Sequence, residues 1–229
     1  MNTKSRLAVV AVFAIAMAWV EAAIVLYLRV LVDRLQPYQP DPLPHFGGLG
    51  QAELIREAAT LVMLLAAGAL AGERVRTRLA YSAFAFGVWD IFYYVFLIPL
   101  TGWPESLLDW DILFLLPVPW WGPVIAPVAI SLLMIAGGVS AILLDRGEQP
   151  ACLRSWMGLA ALAGMGVILY AFMADAIHAS GRGWNHARQV LPVQFGWNVF
   201  LIGYLLMAVP VLDMARRILP GLRKGGVTR

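Results

Sequence analysis

Charged residues are scarce in this chain. They make up 14% of its 229 residues, whereas 61% are hydrophobic and the mean hydropathy is +0.75. An ordinary soluble domain carries about 25% charged residues, so the composition excludes that class. The apolar residues fall in blocks of about 20, the length that an α-helix needs to cross the hydrocarbon of a bilayer. The sequence therefore predicts a polytopic membrane protein.

Cysteine is almost absent, and basic residues form no continuous patch. The single cysteine, Cys152, excludes an internal disulfide and any cysteine-based metal cluster. The formal net charge is +3, but the Lys and Arg residues are spread over loop ends and the C-terminal tail. A nucleic-acid partner would need them on one face, so we predict no nucleic-acid binding.

The pattern of apolar runs predicts an all-α fold with six transmembrane helices in one domain over residues 1–229. The predicted spans are 7–32, 52–71, 79–100, 124–144, 156–178 and 190–212. The pair Gly137-Gly138 in the fourth span indicates close helix packing. Twelve of the 17 basic residues lie on one side if both termini are cytoplasmic, which predicts that orientation in a bacterial inner membrane.

An aromatic-rich segment joins the third and fourth spans. Between Thr101 and Gly122 it has four tryptophans, three acidic residues and no basic residue. Amphipathic rings beside carboxylates are typical of a segment that lies at the headgroup level. The same composition suits a segment that folds back over the mouth of a cavity.

Acidic side chains within the predicted spans are the main functional signal. A carboxylate in hydrocarbon costs at least about 2.5 kcal/mol, and Glu21, Glu57, Asp90 and Asp175 all fall in the same predicted outer half of the membrane. We therefore predict that they share one hydrated or metal-occupied cavity that opens to the outer face. The alternative is local pairing: Glu21 with Arg29, Glu57 with Arg56 or an outer-loop arginine, Asp90 with Tyr93 or Tyr94, and Asp175 with His178.

The predicted site has three groups of residues. The candidate general acids and bases are Glu21, Glu57 and Asp90. The candidate substrate-binding residues are Arg56, Trp89, Tyr93, Tyr94, Gln194 and Asn198. The candidate metal ligands are Glu53, Asp175 and His178, because Asp and His at i, i+3 project from one helix face.

The metal prediction stays limited to one divalent ion or none. Carboxylate-bridged two-metal sites between helices use Glu and Glu-x-x-His motifs from several helices. Only one comparable pair, Asp175 and His178, occurs here and there is no histidine box. A two-metal oxygenase is therefore disfavoured.

Three functions remain open at this point. The first is an enzyme that acts on a hydrophobic or lipid-like substrate by acid–base chemistry. The second is a proton- or cation-coupled transporter that uses the same carboxylates; Trp89-Asp90-Ile91-Phe92 is echoed by Trp197-Asn198-Val199-Phe200, as an inverted repeat would require. The third is an assembly subunit whose polar groups fix helix packing. The expected partners are the lipid bilayer and a hydrophobic small molecule, and the oligomeric state stays open.

Overall fold

The computed structural model describes residues 2–39, 48–145, 155–183, 186–187 and 189–225. Its helices are α1 (Thr3–Leu31), α2 (Gly48–Ala71), α3 (Val75–Thr101), α4 (Ile125–Leu144), α5 (Ser155–Ala179) and α6 (Trp197–Gly225), with a 3₁₀ turn at Ser180–Arg182. Six helices in the described part of the chain are long and apolar enough to cross a membrane. The prediction of a helical membrane protein is therefore confirmed at this level.

The last helix begins later than the apolar pattern predicts. Residues 189–196 are not helical, and α6 starts at Trp197 rather than at residue 190. Proline lacks a backbone donor and disfavours helix in the residue before it, and Pro192 lies inside the predicted span. Hydropathy alone does not predict this break in the helix, because the segment around Pro192 is still apolar.

The aromatic-rich segment contains a second feature that an all-helical prediction misses. Strands β1 (Trp110–Ile112) and β2 (Trp121–Pro123) pair antiparallel, with Asp111 opposite Gly122. The ladder extends past the strands, because Leu113 N–H donates to Trp120 O at 2.9 Å. We call residues 102–124 the hairpin segment.

Close helix packing depends on a few glycines. A Cβ at Gly138 would lie 2.6 Å from the carbonyl oxygen of Ala80, so α4 and α3 approach more closely than any side chain allows. The neighbouring Gly137 faces Val211 of α6. The close packing predicted from this glycine pair is therefore present on both of its sides.

The helices form a curved row rather than a closed ring. Helix α3 packs against α1, α2 and α4; α4 packs against α6, and α6 against α5. No Cα atom of α2 lies within 8 Å of one in α5 in the described chain. The row therefore has two ends, α2 and α5, and its concave side encloses the cavity described next.

Candidate functional site

A cavity of about 620 Å³ lies on the concave side of the helix row. Residues from all six helices and from the hairpin segment line it, together with Val32, Arg34 and Pro37 that follow α1. Most of these residues are aliphatic or aromatic. The polar ones come from α1, α2 and α3, with Arg34 after α1, Asp111 of the hairpin segment and Ser131 of α4. Contacts among these residues, described below, define the polar end of the cavity, and the other walls are apolar.

Glu21 and Arg56 join α1 to α2 at the polar end. The guanidinium of Arg56 forms a short ion pair with Glu21 and also donates from Nε to Glu53 Oε2 at 2.8 Å. The hydroxyl of Thr60 donates to the second oxygen of Glu21 at 3.3 Å. Glu53, Arg56 and Thr60 share one face of α2 because i, i+3 and i, i+4 residues are neighbours on a helix.

Glu57 fastens α2 to the hairpin segment. The backbone N–H of Leu115 donates to both Glu57 carboxylate oxygens at 3.0 Å. Glu57 is only 5% exposed, and none of the described residues forms an ion pair with it within 4.0 Å. Within the described chain, the hydrogen bonds to this carboxylate therefore come from one backbone N–H.

Asp111 stands on β1 and joins the hairpin segment to α1 and α3. It accepts a hydrogen bond from the Tyr94 hydroxyl at 2.9 Å and pairs with the Arg29 guanidinium at 3.6 Å. Arg29 also lies 4.5 Å above the ring of Trp103, a cation–π contact. Burial raises the pKa of the Asp111 carboxyl to about 6, because desolvation outweighs the opposite effects of Arg29 and Tyr94.

Asp90 lies on α3 and faces α4. The hydroxyl of Ser131 donates to it at 2.8 Å, and Asp90 is 8% exposed. It forms no ion pair with the described residues, and the nearby Asp111 carboxylate repels its charge. Asp90 is therefore a buried acid that has a hydrogen-bond donor but no counter-ion.

Three aromatic candidates line the same cavity: Trp89, Tyr93 and Tyr94. The rings of Trp89 and Tyr93 stack with centroids 6.3 Å apart. The indole N–H of Trp89 is buried and has no hydrogen-bond partner among the described residues. These rings form the wall next to Asp90.

Comparisons with protein families, with curated proteins and with solved structures find no match for this chain. Its function must be argued from the site itself.

The structure gathers most of the predicted acid–base and binding residues. Seven of them line the cavity: Glu21, Arg56, Glu57, Trp89, Asp90, Tyr93 and Tyr94. Glu53, a predicted metal ligand, lines it as well. The acids still have local partners, but not all those that sequence spacing suggested. Glu21 pairs with Arg56 rather than Arg29, and Asp90 with Ser131 rather than a tyrosine of its own helix. Glu21, Glu57 and Asp90 therefore line one cavity and also keep local contacts, whereas Asp175, the fourth acid predicted there, is not among the described residues that line it.

Two predicted substrate-binding residues lie elsewhere. Gln194 belongs to the non-helical segment before α6, and Asn198 lies in the first turn of α6; both are exposed. Neither is among the described residues that line the cavity. Because α6 starts at Trp197, residues 190–196 of the predicted span are not helical, and the placement of Gln194 in a span is wrong.

The predicted metal ligands are not brought together. Glu53 is held by Arg56, Asp175 accepts the N–H of Val193 at 3.3 Å, and His178 is exposed with its ring against Tyr170. Within the described chain no group of three or more His, Cys, Asp and Glu side chains is arranged to hold a metal ion. Glu53 lies on α2 whereas Asp175 and His178 lie on α5, and these two helices do not pack against each other in the described chain.

Sequence reasoning gave Asp111 and Ser131 no role in the site and named Arg29 only as a local partner of Glu21. All three line the cavity, Ser131 from α4. Arg29 carried a usable signal, since an arginine within a spanning helix needs a partner. Asp111 and Ser131 gave no such signal, because a carboxylate in a tryptophan-rich loop and a serine in an apolar helix are both ordinary.

Proposed function

We propose that the protein is an integral membrane enzyme that acts on a hydrophobic, lipid-like substrate by general acid–base chemistry. The observation that carries the proposal is a cavity with apolar walls and one end lined by carboxylates from four chain segments. Ligand sites are commonly cavities of about 300–1,000 Å³ with apolar linings and a few polar groups. An amphiphile would place its tail along the walls and its reacting group at the polar end.

Asp90 and Glu57 are the groups we propose for proton transfer. Each is buried, each has one source of hydrogen bonds, and neither is neutralised by an ion pair within the described chain. A carboxyl in such a place exchanges a proton readily with a bound substrate, since its charged form is poorly solvated. If these two positions served only to hold the fold together, apolar residues of similar size would stabilise it as well or better.

Glu21, Glu53 and Arg56 have a different proposed role. Their mutual ion pairs keep the Arg56 side chain, which is buried only in part, at the rim of the cavity. From there it orients the polar part of a substrate, as a charged residue commonly does in ligand sites.

The proposed setting is the inner membrane of a bacterial cell with both termini in the cytoplasm. Basic residues then gather on the inner side, as they do in most inner-membrane proteins. The hairpin segment, with its tryptophans, would lie at the outer headgroup level and cover the polar end of the cavity.

The test compares the lipids of cells in which the gene is replaced by single variants. Untargeted mass spectrometry of the membranes should find a species whose level changes when wild type is replaced by Asp90→Asn or Glu57→Gln. Both variants keep an oxygen that accepts from Ser131 or from Leu115 N–H, so the fold should survive. Glu105→Gln, an exposed acid of the hairpin segment, should leave the lipids unchanged. Identical lipid profiles for wild type and Asp90→Asn would contradict the proposal.

A further inference from the structure

The open side of the helix row offers a route from the bilayer into the cavity. Thr60 and Leu61 of α2 line the cavity, as do Met165 and Leu169 of α5, yet no Cα atoms of the two helices lie within 8 Å of each other. Leu61 and Met165 are near the middle of their helices, at the depth of hydrocarbon if these helices span a membrane. Among the described residues, α2 and α5 therefore do not pack directly against each other at this side of the cavity.

The rim at this position is in contact with both the cavity and the outer surface. Met165 lines the cavity and is also 45% exposed. Leu61 of α2 and Leu169 of α5 also line the cavity, and these apolar side chains would have no unfavourable contact with a lipid chain. At the polar end the situation differs, because the hairpin segment contacts several elements there.

The hairpin segment closes the polar end of the cavity. It reaches α2 through Leu115 and Glu57, α3 through Asp111 and Tyr94, and α5 through Gly122. A Cβ at Gly122 would lie 2.5 Å from the ring of Phe172, so this contact is tight. A ligand that entered through the hairpin segment would have to break these contacts, whereas one that entered between α2 and α5 would not.

The charges that line the cavity restrict the head group of such a ligand. Five acidic side chains and three arginines line it within the described chain, which is a formal excess of two negative charges. Asp90 and Glu57 are the acids without an ion-pair partner there. A cationic head would supply the missing charge, whereas an anionic head would add to the repulsion.

The volume restricts the tail. A cavity of about 620 Å³ lies within the range of about 300–1,000 Å³ that is common for sites of single small ligands. This size favours one alkyl chain with a small head.

We propose that the ligand is a single-chain amphiphile with a protonated amine head, and that it enters sideways from the bilayer between α2 and α5. This inference rests on the proposed function, since it names the substrate class of the same cavity. The amine lies between Asp90 and Glu57, and the chain lies along the apolar walls towards Met165.

The binding test uses two probes of equal chain length on the full chain in phosphatidylcholine nanodiscs. Saturable retention of radiolabelled dodecylamine, counted above empty discs, should exceed that of dodecanoate by about tenfold or more in affinity. Asp90→Asn and Glu57→Gln should each weaken dodecylamine binding by about tenfold, and Glu105→Gln should not change it. Equal binding of the two probes would overturn the assignment of a cationic head.

The entry test fills the rim with bulk and leaves the polar end unchanged. Leu61→Trp combined with Met165→Trp should slow dodecylamine uptake from preloaded vesicles by about tenfold or more. The matched control is Leu65→Trp with Leu162→Trp, which adds the same rings to exposed positions of the same helices that do not line the cavity. An uptake rate equal to that of wild type in the first double variant would overturn the lateral route.

The two proposals fail separately. Saturable dodecylamine binding with no Asp90-dependent lipid change would leave the binding site and refute the enzyme. An Asp90-dependent lipid change without amine binding would support the enzyme and refute this ligand class.

Discussion

The substitution Asp111→Asn should stabilise the protein above pH 6, although it removes a buried ion pair. Asp111 is 2% exposed, and burial raises its pKa from 3.8 to about 6 even with Arg29 and Tyr94 beside it. The folded state therefore binds the proton more tightly than the unfolded chain. Asp111 lies in the hairpin segment rather than in a spanning helix, so an aqueous reference for the unfolded carboxyl is appropriate.

The magnitude follows from the pKa change. Each pKa unit corresponds to about 1.4 kcal/mol, so the ionised carboxylate lowers the free energy of unfolding by about 3 kcal/mol relative to a neutral group. The sign is that of a raised acid pKa: the wild type gains stability as the pH falls from about 6 towards about 4, and this contribution is flat above pH 6. Asparagine keeps an oxygen for the Tyr94 hydroxyl, whose bond measures 2.9 Å.

The assay is equilibrium unfolding in mixed micelles, followed by tryptophan fluorescence at pH 8 and at pH 5. Asp111→Asn should raise the free energy of unfolding at pH 8 by about 3 kcal/mol, and the difference from wild type should shrink at pH 5. The opposite single change, Arg29→Gln, should destabilise at pH 8, because it leaves the carboxylate buried without its counter-ion.

A double-mutant cycle separates the attraction from the burial cost. At 3.6 Å the Arg29–Asp111 attraction amounts to about 4 to 5 kcal/mol at an effective dielectric constant of about 20. Arg29→Gln should therefore cost much less in the Asp111→Asn background than in wild type. If Asp111→Asn instead lowered the free energy of unfolding by the same amount at pH 8 and at pH 5, the reasoning would be refuted. The attraction between Arg29 and Asp111 would then exceed the cost of desolvating the carboxylate.

Two further predictions concern packing and use the same unfolding assay. Gly68→Ala should lower the free energy of unfolding by about 1–3 kcal/mol, because its Cβ would lie 2.0 Å from Ser82 Oγ and 2.5 Å from Ser82 N. The control is Gly158→Ala, which has no heavy atom within 4 Å of the added Cβ and should be neutral or stabilising. Equal effects of the two substitutions would contradict the close approach of α2 and α3. Trp121→Phe should cost about 1–3 kcal/mol, since the indole N–H donates to Val190 O at 2.9 Å; an unchanged stability would mean that this bond does not anchor the hairpin segment.

The helices could be predicted from the sequence because hydropathy is a local property. A run of about 20 apolar residues is stable in hydrocarbon only as a helix, which satisfies every backbone hydrogen bond within the segment. The late start of α6 departs from the prediction at Pro192, where local hydropathy and backbone geometry disagree. The hairpin segment was not predicted because its strands are only three residues long. An alternating apolar pattern cannot be recognised over so short a stretch.

The candidate site could be predicted only in part. Glu21, Glu57 and Asp90 were identifiable because a carboxylate in an apolar span is costly wherever its neighbours lie. Asp175 and His178 satisfied a spacing rule on one helix, but a metal site also needs ligands from a second element at the right place. Asp111 and Ser131 depend entirely on neighbours that are distant in the chain, such as Tyr94 and Asp90.

What the sequence by itself determined is the membrane setting, the six long apolar helices and the presence of costly acids within them. These follow from transfer free energies, which add residue by residue along the chain. Only the tertiary structure decided that α2 and α5 lie at the two ends of a curved row. It also decided that the hairpin segment supplies Asp111 and the Leu115 N–H to the cavity. The pairing of Glu21 with Arg56 rather than Arg29 was decided in the same way. Such pairings depend on which helix faces are in contact, and in an apolar bundle that is set by glycine contacts and side-chain shape rather than by hydropathy.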